Sequence, residues 1–186
     1  LLFLTLPILW QRITQIDQPR VCQPSRSRRA QLSCRDKHYA SELTRRHVPV
    51  AVSVIEGPID TIGLLSELSK DGVGAIASFI GIVRPVNENE KVLSLEFETW
   101  DEKLPQVLSD IGNEALKKYK LHSISITHRK GTVLPGEIIV CIYATSAHRA
   151  EAFAGCSWTI DELKRQAPIW KKEITQSGSY WIEGLG

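Results

Sequence analysis

From residue 48 onward, stretches with a two-residue apolar period trade places with stretches of helical period. Val48–Val54 (VPVAVSV) alternates weakly, as a first strand does. Asp60 then stands where it can cap a helix with apolar positions Ile62, Leu64, Leu65 and Leu68, stopped by Gly72. Gly74–Val83 (GAIASFIGIV) is almost continuously apolar and predicts a buried strand, followed by a loop from Pro85 through Asn87–Lys91. Val92–Phe97 alternates like a half-buried strand, and Asp101–Tyr119 carries Leu104, Val107, Leu108, Ile111, Ala115 and Leu116 at helical spacing. Leu121–Thr127 reads as an alternating strand, Gly131–Gly136 as a turn and Glu137–Thr145 as a further strand. Ser146 is placed to cap a second long helix, with Phe153, Ile160 and Leu163 as its apolar seam. That helix ends by Ala167, because Pro168 disfavours helical geometry in the residue before it. Tyr180–Ile182 suits a short last strand. The order β-α-β-β-α-β-β-α does not alternate strictly, so the pattern predicts an α+β sandwich on a mixed sheet rather than a doubly wound parallel one.

Residues 1–47 follow neither period. Leu1–Trp10 is apolar but much shorter than the ~20 residues a membrane span needs. It lacks the basic flank and small-residue cleavage site of a signal peptide. The following Arg-, Ser-, Gln- and Pro-rich stretch reads as a disordered basic extension to a single domain over 48–186. The chain has no methionine and begins with Leu, which points to a mis-start or a partial sequence.

Charge sharpens this division. Residues 1–50 hold nine Lys/Arg against three Asp/Glu, and the remainder holds fourteen against eighteen. The domain is therefore mildly acidic under a formal net charge of +2, unlike the basic face of a nucleic-acid binder. Cys22, Cys34, Cys141 and Cys156 form no CxxC pair and show no ligand-like spacing. Cys141 and Cys156 read as small buried hydrophobes, and the expected compartment is the reducing cytoplasm.

Candidate chemistry clusters where strands end. In Thr145-Ser-Ala-His-Arg149 a strand hands over to a helix, whose unsatisfied N–H groups favour an anion; His148 and Arg149 add cationic donors. A solvated surface pair is the alternative. Lys164 lies beside the helix's apolar seam, where desolvation would lower its pKa and free the amine, and Lys171 follows Pro168 in a segment stiffened by Trp170. Either lysine alone also fits a solvated surface charge. Arg84 ends an apolar strand, and His128-Arg129-Lys130 repeats that arrangement with a histidine that reads equally well as structural. No P-loop, GxGxxG, HExxH or GxSxG motif occurs, and no carboxylate cluster suggests a metal.

Four stretches together carry a family resemblance: GAIASFIGIVR (74–84), THRKGTVLPGE (127–137), TSAHRAEAF (145–153) and DELKRQAPIWKKE (161–173). In order and spacing, across roughly residues 50–183, they resemble the large, catalytic subunit of molybdopterin synthase. The resemblance implies an α/β hammerhead-like fold and a cytoplasmic sulfurtransferase of molybdenum cofactor biosynthesis. It also implies a homodimer within a heterotetramer, with a small ubiquitin-like sulfur carrier at each end. The carrier's C-terminal Gly-Gly thiocarboxylate would enter a pocket and deliver sulfur, in two transfers, to cyclic pyranopterin monophosphate, giving the molybdopterin dithiolene. By the same resemblance Arg84, His148 and Arg149 hold the substrate, Lys164 is the central catalytic lysine and Lys171 assists it. No metal, cofactor, nucleic acid or membrane is implied. The family's further basic residue from a C-terminal tail has no counterpart before Leu185-Gly186, and the extension matches nothing in the family's core. A non-catalytic scaffold of the same fold and a carrier-independent phosphate-ester enzyme are the competing readings.

Overall fold

A computed structural model describes residues 49–182. The chain divides into the units Leu1–Arg45 and Arg46–Gly186, and all described residues belong to the second. The expectations for residues 1–47 and the end of the chain lie outside the described residues.

Strands β1 (Val50–Ile55), β5 (Ser123–Arg129), β7 (Ile138–Ser146) and β2 (Ala75–Ile82) form one sheet in that spatial order. β1 and β5 are parallel; the other pairs are antiparallel. A second sheet runs β3 (Val86–Asn87), β4 (Glu90–Thr99), β8 (Ile169–Thr175) and β9 (Ser179–Ile182), with β6 (Gly131–Val133) also paired to β4. The helices are α1 (Thr61–Glu67), α2 (Leu104–Tyr119) and α3 (Arg149–Gln166). Two sheets and three helices in one domain fulfil the α+β expectation, and the order of elements explains why strict alternation was absent.

The longer helices bury one stripe each. In α2, Leu104, Leu108, Ile111 and Ala115 are buried, and Lys120 closes the helix in the left-handed region with its N–H on the Leu116 carbonyl. In α3 the buried stripe is Ala152, Cys156, Ile160 and Leu163. Phe153, expected in that seam, is 66% exposed, because the stripe passes one residue before it. Both helices pack on the first sheet, and their apolar stripes share one core with Ile124, Ile126 and Ile142 from that sheet and Leu95, Phe97, Val133 and Ile169 from the second. A smaller cluster of Ile59, Cys141 and Tyr143 packs beneath Leu64 and Leu68 of the α1 segment. Cys141 and Cys156 are both buried free thiols, as their apolar surroundings suggested.

Several local expectations change. Asp60 does cap α1, its Oδ1 accepting from the Gly63 N–H at 2.9 Å. The helix nevertheless ends at Glu67, because Leu68 turns to extended geometry and packs on the smaller cluster; Gly72 serves a later turn at φ +68°. β2 is an edge strand. Ala77 is buried while Ile76, Ile80 and Ile82 are exposed, since an apolar run shows what each face is made of and not whether anything covers it. β5 is buried throughout: its Ser/Thr face is closed by contacts such as Ser123 Oγ to Thr145 Oγ1 at 2.8 Å. The loop expected at 87–91 is a β3–β4 hairpin turning through Glu88 and Asn89, both at positive φ. Ser146 does not cap α3; it is the last residue of β7, paired with Ala75, and His148 occupies the cap position.

Candidate active site

A cavity of about 420 Å³ opens where the ends of both sheets meet the last turns of α3. Its floor is apolar, with Phe79, Val92, Leu95, Phe97, Val140, Ile160 and Leu163. Its polar groups come from five places in the sequence: Arg84 beyond β2, Asn87 on β3, His128 on β5, Lys164 on α3, and Lys171 and Glu173 on β8. Residues 171 and 173 are two apart on a strand, so their side chains leave the same face. The β4–β8 register sets Lys171 opposite Phe97.

Polar contacts organise one side of this hollow. Arg84 donates from Nη2 to Asn87 Oδ1 at 3.1 Å, and Asn87 Nδ2 donates to both carboxylate oxygens of Glu173, at 3.1 and 3.2 Å. Glu173 is 8% exposed. A buried carboxylate needs such partners, and here the amide links it to the guanidinium of Arg84. Lys171 is half-buried, and its pKa is lowered chiefly by that burial. Glu173 opposes the shift, while the positive charges of Arg84 and Lys164 reinforce it. The amine of Lys171 is thus easier to deprotonate than an ordinary lysine, as a group serving as base or nucleophile requires. Desolvation, expected at Lys164, falls on Lys171. Lys164 is exposed, in the last turn of α3, and still lines the cavity.

His128 is 3% exposed and its Nδ1 lies 2.6 Å from the Arg129 carbonyl oxygen, with the ring edge-on to Phe97 at 5.5 Å. Burial holds its pKa down to about 4 against the pull of that hydrogen bond, so the imidazole is neutral at physiological pH.

The structure thus brings Arg84, Lys164 and Lys171 to one cavity and leaves His148 and Arg149 outside its lining. Both of the latter are exposed at the start of α3. At 1.5 Å rise per residue, the helix separates Arg149 from Lys164 by about 22 Å. Within one chain the two ends cannot share an anion-sized hollow. Asn87, Glu173 and the cavity-facing position of His128 were not singled out from sequence. A strand reading of 169–175 would have paired Glu173 with Lys171; Asn87 depends on a hairpin with no glycine signal. Among the described residues no cluster of His, Cys, Asp or Glu could hold a metal ion, and no helix is long and apolar enough to cross a membrane.

The model of the MoaE protein family matches residues 54–166, more than half of the chain. The chain belongs to the MoaE family. A Pyrococcus abyssi relative named molybdopterin synthase catalytic subunit is 38% identical over 138 residues, 72% of this chain and 91% of the relative. Relatives of the same name in Bacillus subtilis and Arabidopsis thaliana are 36% and 38% identical, covering 69% and 67% of this chain and 82% and 63% of their own lengths. Among solved structures, molybdopterin synthase from Staphylococcus aureus superposes with a TM-score of 0.66 at 32% identity, covering 69% of this chain and 94% of that one. A complex of subunits 1 and 2 of molybdopterin-converting factor from Helicobacter pylori gives 0.60 at 25% identity, covering 71% and 90%. The MoaE match contains Arg84, His128 and Lys164, whereas Lys171 and Glu173 lie beyond its end, on the strand that closes the cavity.

Proposed function

We propose that the chain is a sulfurtransferase, the catalytic subunit of a molybdopterin synthase, moving sulfur from a thiocarboxylated ubiquitin-like carrier onto cyclic pyranopterin monophosphate to form the dithiolene. The observation that carries this reading is the convergence of Arg84, Lys164 and Lys171 on one apolar-floored cavity. A phosphorylated heterocycle needs cationic donors for its anion and apolar surface for its ring. Transfer from a thiocarboxylate needs an amine or acid/base group and positive charge beside the developing oxyanion. Lys171, made easier to deprotonate, suits the proton-transfer role; Lys164, at the mouth, suits contact with the carrier's terminal carbonyl; Arg84, braced by Asn87, suits the anion.

The partner is a small carrier ending in Gly-Gly, in keeping with the two-subunit complex of the Helicobacter relative. The assembly is a homodimer within a heterotetramer, working in the cytoplasm. His148 and Arg149 then bind substrate from the second copy, because α3 holds them too far from Lys164 of their own chain. The test is reconstitution with thiocarboxylated carrier and cyclic pyranopterin monophosphate, scoring dithiolene formation. Wild type makes product and Lys164→Ala nearly none. Equal product from both would remove Lys164 from the mechanism; carrier binding by the wild type without any product would leave a scaffold.

A further inference from the structure

The sulfur-transfer reading makes no use of His128, yet this is the cavity's most deeply buried titratable group. Its ring is fixed in one sense. The contact from Nδ1 to the Arg129 carbonyl oxygen requires the proton on Nδ1, since a carbonyl only accepts. Nε2 therefore carries a lone pair and no hydrogen. Among the described residues the ring's hydrogen bond is the one from Nδ1, and Nε2 is not one of the sealed, unpartnered polar atoms, which are Arg129 Nε and Glu151 Oε2. His128 lines the cavity, and Nε2 is the ring nitrogen available to a ligand there. A buried acceptor left open on a binding wall marks where a ligand donor is read, because an unmatched one would cost the site affinity.

We propose that Nε2 of His128 is a specificity-determining acceptor that takes a hydrogen bond from a ring N–H of the bound pterin. This rests on the sulfur-transfer reading. Two ligands of that reaction carry N–H donors, the heterocycle and the amides of the carrier's Gly-Gly tail. The surroundings favour the heterocycle: His128 sits with Phe97, Leu95 and Val140 on apolar surface that a flat ring buries and a tail without side chains does not. Arg84 takes the anionic end, which leaves the apolar floor to read the ring. Because its proton is held on the far nitrogen, His128 rejects an analogue that presents a lone pair at that position.

The test uses the full-length wild-type chain labelled with ¹⁵N-histidine, its His128 signals assigned by comparison with His128→Gln. Three probes are titrated separately: cyclic pyranopterin monophosphate, a peptide ending in Gly-Gly, and inorganic phosphate. The Nε2 resonance should move from its bare, lone-pair position toward the hydrogen-bonded range with the pterin alone. Movement with the peptide or phosphate instead overturns the assignment, as does a still resonance while the pterin binds. In parallel, His128→Phe should raise KM for the pterin three- to tenfold, roughly the worth of one neutral hydrogen bond, with kcat little changed, and His128→Gln should recover most of the loss. A fall in kcat at constant KM, or no rescue by Gln in a folded protein, counts against it. Should His128→Phe fail to fold, the wild-type titration and the Gln variant decide. Product formation by the same wild-type preparation tests the sulfur-transfer reading separately: turnover with an unmoved Nε2 sinks only the role of His128.

Discussion

Lys171 and His128 are both shifted by burial, and both shifts favour the neutral form. On the proposed reaction, the consequence for Lys171 is catalytic. Replacement by Arg keeps a positive charge that never deprotonates, so kcat should fall about 100-fold or more while the pterin KM changes little, as steady-state kinetics would show. Glu173 is the group holding the Lys171 pKa up, against Arg84 and Lys164, which push it down. Glu173→Gln should therefore move the Lys171 limb of the pH–rate profile to lower pH; a shift upward would mean that another group controls that limb. For His128 the consequence is stability. Its folded pKa of about 4 lies below the ordinary histidine value of 6.5, so the unfolded chain binds the extra proton first. Stability from this group is complete above pH 6.5 and declines as the pH drops toward 4, by at most about 3 kcal/mol. Urea unfolding at pH 7 and pH 5 should show this decline, and a folded His128→Gln variant should lack it. The Phe97 ring, the Arg129 carbonyl and the cavity cations Arg84, Lys164 and Lys171 all surround or share the site of this histidine, and none of them offers the protonated ring a counter-charge; among the described residues Glu173 is the one carboxylate lining the cavity.

At the scale of elements, the site depends on how closely α2 and α3 sit against the first sheet. Gly112 lies on the buried stripe of α2, and a Cβ there would stand 2.6 Å from Val50 Cγ1 and 3.2 Å from Ile124 Cγ2. Gly112→Ala should destabilise the fold by about 1–3 kcal/mol despite alanine's better helix propensity, readable as a lower urea midpoint at unchanged slope. The long helices and the central strands could be read from periodicity because each buries a full stripe or face, and a stripe needs only side chains at the right spacing. β3, β6 and β8 could not. Asn87 lies in a polar stretch and Gly131–Val133 opens on a glycine, and their strand character comes from pairing with β4, a partner far away in sequence for β6 and β8. Lys171 and Glu173 share their strand face only because β8 adds itself beside β4.

For the whole molecule, the 18 residues of α3 set a constraint that no single side chain reveals. They put His148 and Arg149 at one end and Lys164 at the other, so any common site requires a second copy. Mixing inactive Lys164→Ala and Arg149→Ala proteins under conditions of subunit exchange should restore about a quarter of wild-type activity, because half of the dimers become mixed and each has one intact site. No recovery, with exchange verified, would place Arg149 outside catalysis or within its own chain's site.

The amino-acid sequence by itself determined the periodic elements and the mixed α+β class, and it marked Arg84, Lys164 and Lys171 as candidates, since spacing and residue type are local properties. Only the tertiary structure decided which of these cations meet, that the desolvated amine is Lys171, and that Asn87, Glu173 and His128 complete the cavity. Burial and mutual distance belong to the packed chain: they arise when strands remote in sequence become neighbours and exclude water between them.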